Sequence, residues 1–291
     1  MNNTFLYLLT VIVWGSTWIA IKYQLGDISP LVSIAHRFAL AALMIFGYLL
    51  LRRQLVKLSP RDHLFVLLQG LSLFCLNYVF IYSATLQLTS GLVAVVFSTM
   101  VILNMVNAAL FFGAPIRRGV ALGAAIGLLG MAGVFLPELQ SLSLTDDNFR
   151  ALLMCLAGTV LASFGNMFSV RNQRHHLPLL SCNAWGMLYG ALTLYAAALI
   201  LGQPITLEWS APYLLSLAYL ALFGSVVAFW AYLTLVGNIG PDRAAYTSLV
   251  FPVVALLLST LVEGYTWTLS AIMGMGLVVF GNWLVMRRPR A

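Results

Sequence analysis

The 291-residue sequence predicts an all-α membrane protein, with ten transmembrane helices arranged as two inverted five-helix repeats. Three observations lead there. Hydrophobic residues make up 62% of the chain and charged residues only 8%, against roughly 25% charged in a water-soluble domain. So little charge cannot cover a water-facing surface, which sets aside a soluble enzyme, a disordered scaffold and a nucleic-acid binder. Basic residues gather in alternate loops, and the two halves of the chain resemble each other.

A membrane helix needs roughly 20 apolar residues. Ten such stretches fit, at 4–21, 32–51, 63–82, 89–112, 119–136, 150–169, 180–201, 211–233, 242–262 and 267–286. They leave no room for a separate soluble domain. The breaks carry turn chemistry or charge: Gly26-Asp27 with Ser29-Pro30, Arg52 to Arg61, Ala114-Pro115 with Arg117-Arg118, and Pro137-Glu138 with Asp146-Asp147. Arg171 to Pro178, Gln203-Pro204 and Gly240-Pro241-Asp242 complete the set. The weakest break separates spans 3 and 4, where only Gln87, Thr89 and Ser90 interrupt the run. Span 1 does not read as a signal peptide, because it lacks a basic start and has Trp14, Trp18 and Lys22 where small residues would mark a cleavage site.

Orientation follows from the basic residues. With the N-terminus inside, Arg52, Arg53, Lys57, Arg61, Arg117, Arg118, Arg171, Arg174, Arg243, Arg287, Arg288 and Arg290 lie on the inner side, 12 of the 15 Lys and Arg residues. Only Lys22 and Arg150 fall outside, and Arg37 sits within a span. Both termini are therefore expected in the cytoplasm. The net charge of +7 reflects topology rather than an acidic partner.

An internal repeat sharpens the architecture. At an offset of about 150, Tyr82, Gly91, Gly123 and Gly130 parallel Tyr232, Pro241, Gly274 and Gly281. Residues 1–140 and 145–291 then form two five-span halves. Five is odd, so the second half enters the membrane from the opposite side, as in many secondary transporters. Two near-equivalent packings, one open to each side, follow from that symmetry.

On these residues the chain resembles the EamA-type permeases of the drug/metabolite transporter superfamily. The resemblance rests on Trp14-Gly15-Ser16-Thr17 with Lys22, Arg37-Phe38, Ser90-Gly91, Phe251-Pro252, Gly123 to Gly133, Pro137-Glu138-Leu139, and Glu263-Gly264-Tyr265 leading to Gly274 and Gly281-Asn282. It covers nearly the whole chain. It implies a ten-helix fold and a secondary transporter of a bacterial inner membrane that exports a small metabolite such as an amino acid. The family often carries a Glu at the end of span 4. Here that position reads Phe112-Gly113-Ala114-Pro115, leaving Glu263 as the acid of the pair.

Polar residues inside spans are the candidate pathway. A charge deep in a span costs at least about 2.5–3.5 kcal/mol, so Arg37 should face the interior or a partner. It either anchors a substrate carboxylate or bonds helix carbonyls. His36 points some 100° away around the helix and is a proton carrier or a packing residue. Glu263 is a coupling acid or a helix-end carboxylate. Asn77, Tyr78, Tyr82, Asn166 and Asn183 lie near mid-span as pathway amides and phenols, or as helix glue. Trp14, Trp18, Trp185, Trp230 and Tyr246 lie deeper than the belt aromatics and either line the wall of a cavity for an apolar or amphipathic solute or serve ordinary helix packing. Gly123-Ala-Ala-Ile-Gly127 and Gly186-Met-Leu-Tyr-Gly190 read as helix-packing motifs first and as a weak homodimer face second. Pro252 is a possible hinge of span 9.

No phosphate-binding loop, zinc pair or nucleophile elbow occurs, so no cofactor or metal is expected. Cys75, Cys155 and Cys182 read as core packing. The remaining partners are a small solute, protons and the bilayer. An intramembrane enzyme, resting on Asp146-Asp147 as its one paired carboxylate, and a non-transporting assembly protein stay open as alternatives.

Overall fold

The structure, a computed structural model, describes residues 2–24, 28–142, 145–263 and 267–286. Within these, only the backbone is described at Trp18, Ile19, Lys22, Ser90, Gly91, Glu138, Ser141, Ser259, Val262 and Glu263. The described residues form helices and connections, with no strand among them.

Each helix starts and stops where its end residues require. Helix α1 (Asn3–Lys22) is capped by the Asn2 side chain, and α2 (Pro30–Leu51) begins on a proline. Helix α3 (Pro60–Thr85) starts at Ser59, whose hydroxyl accepts from the Asp62 N–H. Helix α4 runs as Ser90–Ser98 and Met100–Phe112. Thr89 caps its start, which makes the weakest break in the sequence a true helix boundary. Gly113, at φ +62°, ends it in the left-handed conformation that favours glycine. Helix α5 (Arg118–Val134) is followed by a short helix, Leu136–Ser141.

Helix α6 (Asp146–Arg174) carries Asp146 and Asp147 in its first turn and Arg171 and Arg174 in its last, matching its dipole at both ends. Helices α7 (Leu179–Ile200), α8 (Ala211–Ile239), α9 (Pro241–Ala244 and Thr247–Glu263) and α10 (Leu269–Met286) complete the chain. Among the described residues, eight helices are long and apolar enough to cross a membrane, and α1 and α5 add the shorter apolar stretches Asn3–Thr17 and Arg118–Val134. Pro252 lies inside α9 without ending it.

Two features escaped the sequence. Helices α3 and α8 each contain a π turn, Leu71–Leu76 and Leu222–Val227, about 150 residues apart. A π turn widens the helix and puts backbone groups out of register.

Small residues set the closest approaches. Between α5 and α10, a Cβ on Gly123 would lie 2.8 Å from the Gly281 carbonyl, and one on Gly130 would lie 2.6 Å from that of Gly274. The two helices therefore cross antiparallel, backbone against backbone. Helices α2 and α7 are antiparallel as well, with His36 against Tyr195 and Phe46 against Trp185. Gly186 and Gly190 of α7 abut Gly70 and Phe74 of α3. Both glycine motifs thus pack helices within one molecule, as the sequence predicts. Leu43, Leu129, Ile200 and Leu261 point outward at 67–85% exposure, an apolar surface suited to lipid. The three cysteines are free and buried.

Candidate functional site: a cationic and aromatic centre

Arg37 projects from α2 into the π turn of α8 and is only 4% exposed. Its Nη2 donates to the Gly224 carbonyl at 3.0 Å and its Nε to Ser225 Oγ at 2.8 Å. Ser225 in turn donates to the Leu220 carbonyl five residues back, at 3.0 Å. The indole Nε1 of Trp14 on α1 reaches the same Gly224 carbonyl at 3.3 Å. A Cβ on Gly224 would sit 2.9 Å from Thr17 Cγ2 and 3.1 Å from Arg37 Nη2, so a larger residue here would crowd the guanidinium.

Rings surround the guanidinium. Its Cζ lies 5.3 Å from the Tyr78 ring centroid and 5.4 Å from that of Phe38. Tyr82 stands beside Tyr78 at 6.3 Å and interacts with the Arg37 charge. Trp14 touches Phe229, Tyr232 and Phe251, and Phe74 bridges Phe38 to Phe229. Charge-assisted hydrogen bonds of about 1.5–3 kcal/mol each, with cation–π contacts of about 2 kcal/mol when desolvated, offset the burial of the charge. No carboxylate pairs with Arg37 among the described residues. Trp14, Tyr78 and Tyr82 remain half-buried, so the cluster keeps an open side.

A chain of amides leads away from it. Asn166 Nδ2 on α6 donates to the Tyr232 hydroxyl at 3.0 Å and approaches Asn104 Oδ1 at 3.4 Å. Asn104 Nδ2 donates to the Pro241 carbonyl at 3.0 Å, at the start of α9. One polar path thus joins α4, α6, α8 and α9.

The structure brings Trp14, Arg37, Tyr78 and Tyr82 together and attaches Asn166 through Tyr232. Trp230 packs against the same core from α8. Asn77 is buried against α6, where its carbonyl faces Gly158. Four other expected residues lie elsewhere. Asn183 accepts from Gln69, within a separate network of Gln69, Asn172, Arg171 and Asp62. Trp185 stacks with Tyr189 and meets His63 edge to face near the start of α3. Tyr246 is fully buried and donates to the Gly123 carbonyl at 3.0 Å, wedged between α5 and α10. His36 faces α7 rather than α8, with Nδ1 buried and unpartnered. The side chains of Trp18 and Glu263 lie outside the described residues. Sequence reading missed Gly224, Ser225, Phe229 and Phe251 as parts of this cluster. Only the small pair Gly224-Ser225 inside an apolar run hinted at a socket.

No group of three or more His, Cys, Asp or Glu side chains suited to a metal occurs among the described residues.

The profile of the EamA-like transporter family matches residues 3–136 and again 149–287. The chain belongs to the EamA-like transporter family. That places it in the drug/metabolite transporter superfamily and makes it a membrane transporter. An Escherichia coli (strain K12) protein named as an uncharacterized inner membrane transporter, YedA, is 34% identical over 277 residues, spanning 94% of this chain and 87% of its own. A second protein of that strain, named as a probable amino-acid metabolite efflux pump, is 26% identical over 295 residues, spanning 96% and 93%. A solved crystal structure superposes with a TM-score of 0.82 over 98% of this transporter and 96% of that chain, at 17% identity, a likeness of fold.

Proposed function

We propose that the transporter is a secondary transporter that exports a small amphipathic metabolite, an amino acid above all, from the cytoplasm across the inner membrane. The observation that carries this reading is Arg37: a buried cation with no acidic partner among the described residues, framed by half-buried rings. A guanidinium has five donors. Ser225 and Gly224 take two of them, so a substrate carboxylate can take others in the planar geometry that Arg favours. Trp14, Tyr78 and Tyr82 would hold the apolar part. This centre is compatible with an amino acid, because it pairs a cation for the carboxylate with rings for an apolar part.

Alternating access follows from two inverted halves, 1–140 and 145–291, comprising ten spans with both termini inside. Contact pairs support this reading. His36 meets Tyr195 and Phe46 meets Trp185, and an offset of about 150 exchanges the two pairs. Gly123 with Gly281 and Gly130 with Gly274 exchange likewise. Exchanged pairs on antiparallel helices are what a two-fold axis in the membrane plane would generate. The sequence has no ATP-binding loop, which leaves an ion gradient or facilitated diffusion as the drive, with His36 and Glu263 as candidate proton carriers. The unit of transport is a monomer or a weak homodimer.

Two experiments test the reading. An expressing strain is screened for efflux of amino acids and resistance to their toxic analogues, and the hits are measured in liposomes holding purified protein. Solute should cross unaltered; a chemically changed solute, or no hit among carboxylate-bearing solutes, sinks it. Reporter fusions at residue 291 and near Asp146 should read opposite sides of the membrane.

A further inference from the structure

The C-terminal ends of α4, α6 and α8 and the first turn of α9 enclose a cleft of about 370 Å³. Three arginines line it, Arg117, Arg174 and Arg243, against one acid, Asp242. The volume suits a small solute. Arginines at helix C-termini commonly cap carbonyls, but none of these three guanidiniums donates a hydrogen bond to a carbonyl, and none is ion-paired, among the described residues. Arg174 is held in place instead by the Phe112 ring, with Cζ 4.3 Å from its centroid. Arg243 Nε is buried and has no partner. Gly240, at φ +94°, makes the sharp turn that brings Asp242 and Arg243 to the cleft. Its Pro241 is also the residue whose carbonyl Asn104 holds, so the cleft wall continues through Asn104, Asn166 and Tyr232 to Trp14.

Three cations with unused donors converging on one cleft form a receptor for an oxyanion. We propose that this cleft captures the carboxylate or phosphate of a small cytoplasmic solute at the inner entrance to the pathway. The proposal rests on the transport reading for the word entrance, while the binding itself does not depend on it.

The test uses full-length protein in nanodiscs of neutral phosphatidylcholine. Sodium succinate and sodium phosphate are titrated at constant ionic strength, and binding is read by calorimetry and thermal stability. At least one probe should bind saturably. The double variant Arg174→Gln/Arg243→Gln should weaken it by about tenfold or more, the scale of one charge-assisted hydrogen bond. Arg117→Gln, on the exposed connector where folding is not at stake, should weaken it measurably on its own. Arg61→Gln, at an exposed arginine at the start of α3 that does not line the cleft, should leave it unchanged. A non-saturable response, or one indifferent to the cleft variants, overturns the proposal. So does binding that falls as far with Arg61→Gln, which would make it a response to general surface charge. Discs containing phosphatidylglycerol form the last arm: stabilisation by that lipid through the same arginines, with no soluble probe binding, would make the occupant a lipid headgroup and overturn it too. If liposome transport fails while cleft binding holds, the transport reading falls and the oxyanion site stands.

Discussion

The π turn of α3 presents the buried Phe74 to α7, where Gly186 and Gly190 leave room for its ring, while Leu73 of the same turn packs against Gly165 of α6. The π turn of α8 presents Gly224 and Ser225 to α2, where Arg37 fills the space. Under the proposed repeat, Arg37 corresponds to Gly186 and Ser225 to Phe74. Large and small residues have changed sides. One contact is a dry wedge and the other a polar socket, on the same backbone device. Under that correspondence the same backbone device recurs in both halves while only one of them carries charge.

The largest effect should come from emptying the socket. Arg37→Ala should abolish transport in liposomes while leaving folded protein in the membrane, because the socket itself is made of backbone and Ser225. Arg37→Lys should keep part of the activity, since the charge remains but the planar fork is lost. Normal transport by Arg37→Ala would reduce the contact to a structural one and make the two π turns alike in role.

Phe74→Ala strikes the opposite contact. Phe74 is fully buried against Phe38 and Phe229, so truncation should cost about 3–5 kcal/mol of stability. Thermal melting should fall clearly, while the transport rate per folded molecule should fall far less than with Arg37→Ala. If transport were lost as completely, with the melting temperature unchanged, the wedge would belong to the substrate pathway and the contrast would collapse.

The helical character, most boundaries, the glycine packing motifs and the inward burial of Arg37 were legible in the sequence, because each rests on local rules: apolar run length, caps, turn residues and the cost of a buried charge. The π turns were not. Leu71–Leu76 and Leu222–Val227 read as ordinary apolar helix, and the extra residue per turn is imposed by what docks against it. Residue depth misled for a similar reason. Tyr246 and Asn183 lie as deep as Tyr82, yet depth says nothing of the face a side chain takes, and both are consumed by helix packing. The converging arginines of the inner cleft were read only as topology, since Arg117, Arg174 and Arg243 are far apart in the chain.

Ser225→Ala probes the socket more gently. It removes the acceptor of Arg37 Nε and leaves the Gly224 carbonyl in place. The loss is about 1.5–3 kcal/mol at most, so KM should rise by about tenfold with kcat largely kept. Ser225→Thr, which retains the hydroxyl, should recover most of the difference. A fall in kcat alone would mean that the π turn moves in the cycle rather than merely holding Arg37.

The smallest effect is expected at Glu263, where the halves differ again. Helix α9 ends on this acid, whereas α4 ends at Phe112 and continues into Gly113-Ala114-Pro115. If the acid coupled protons, its charge would have to change during each cycle. Glu263→Gln would then preserve counterflow exchange and abolish accumulation driven by a proton gradient. If the acid only ends the helix, no change of its charge is needed in the cycle. Gln retains most of its hydrogen bonding, so both activities should persist. Measuring exchange and accumulation in the same Glu263→Gln liposomes separates the cases. Lost accumulation with intact exchange would assign coupling to the second half alone and extend the difference between the halves from the substrate to the driving ion.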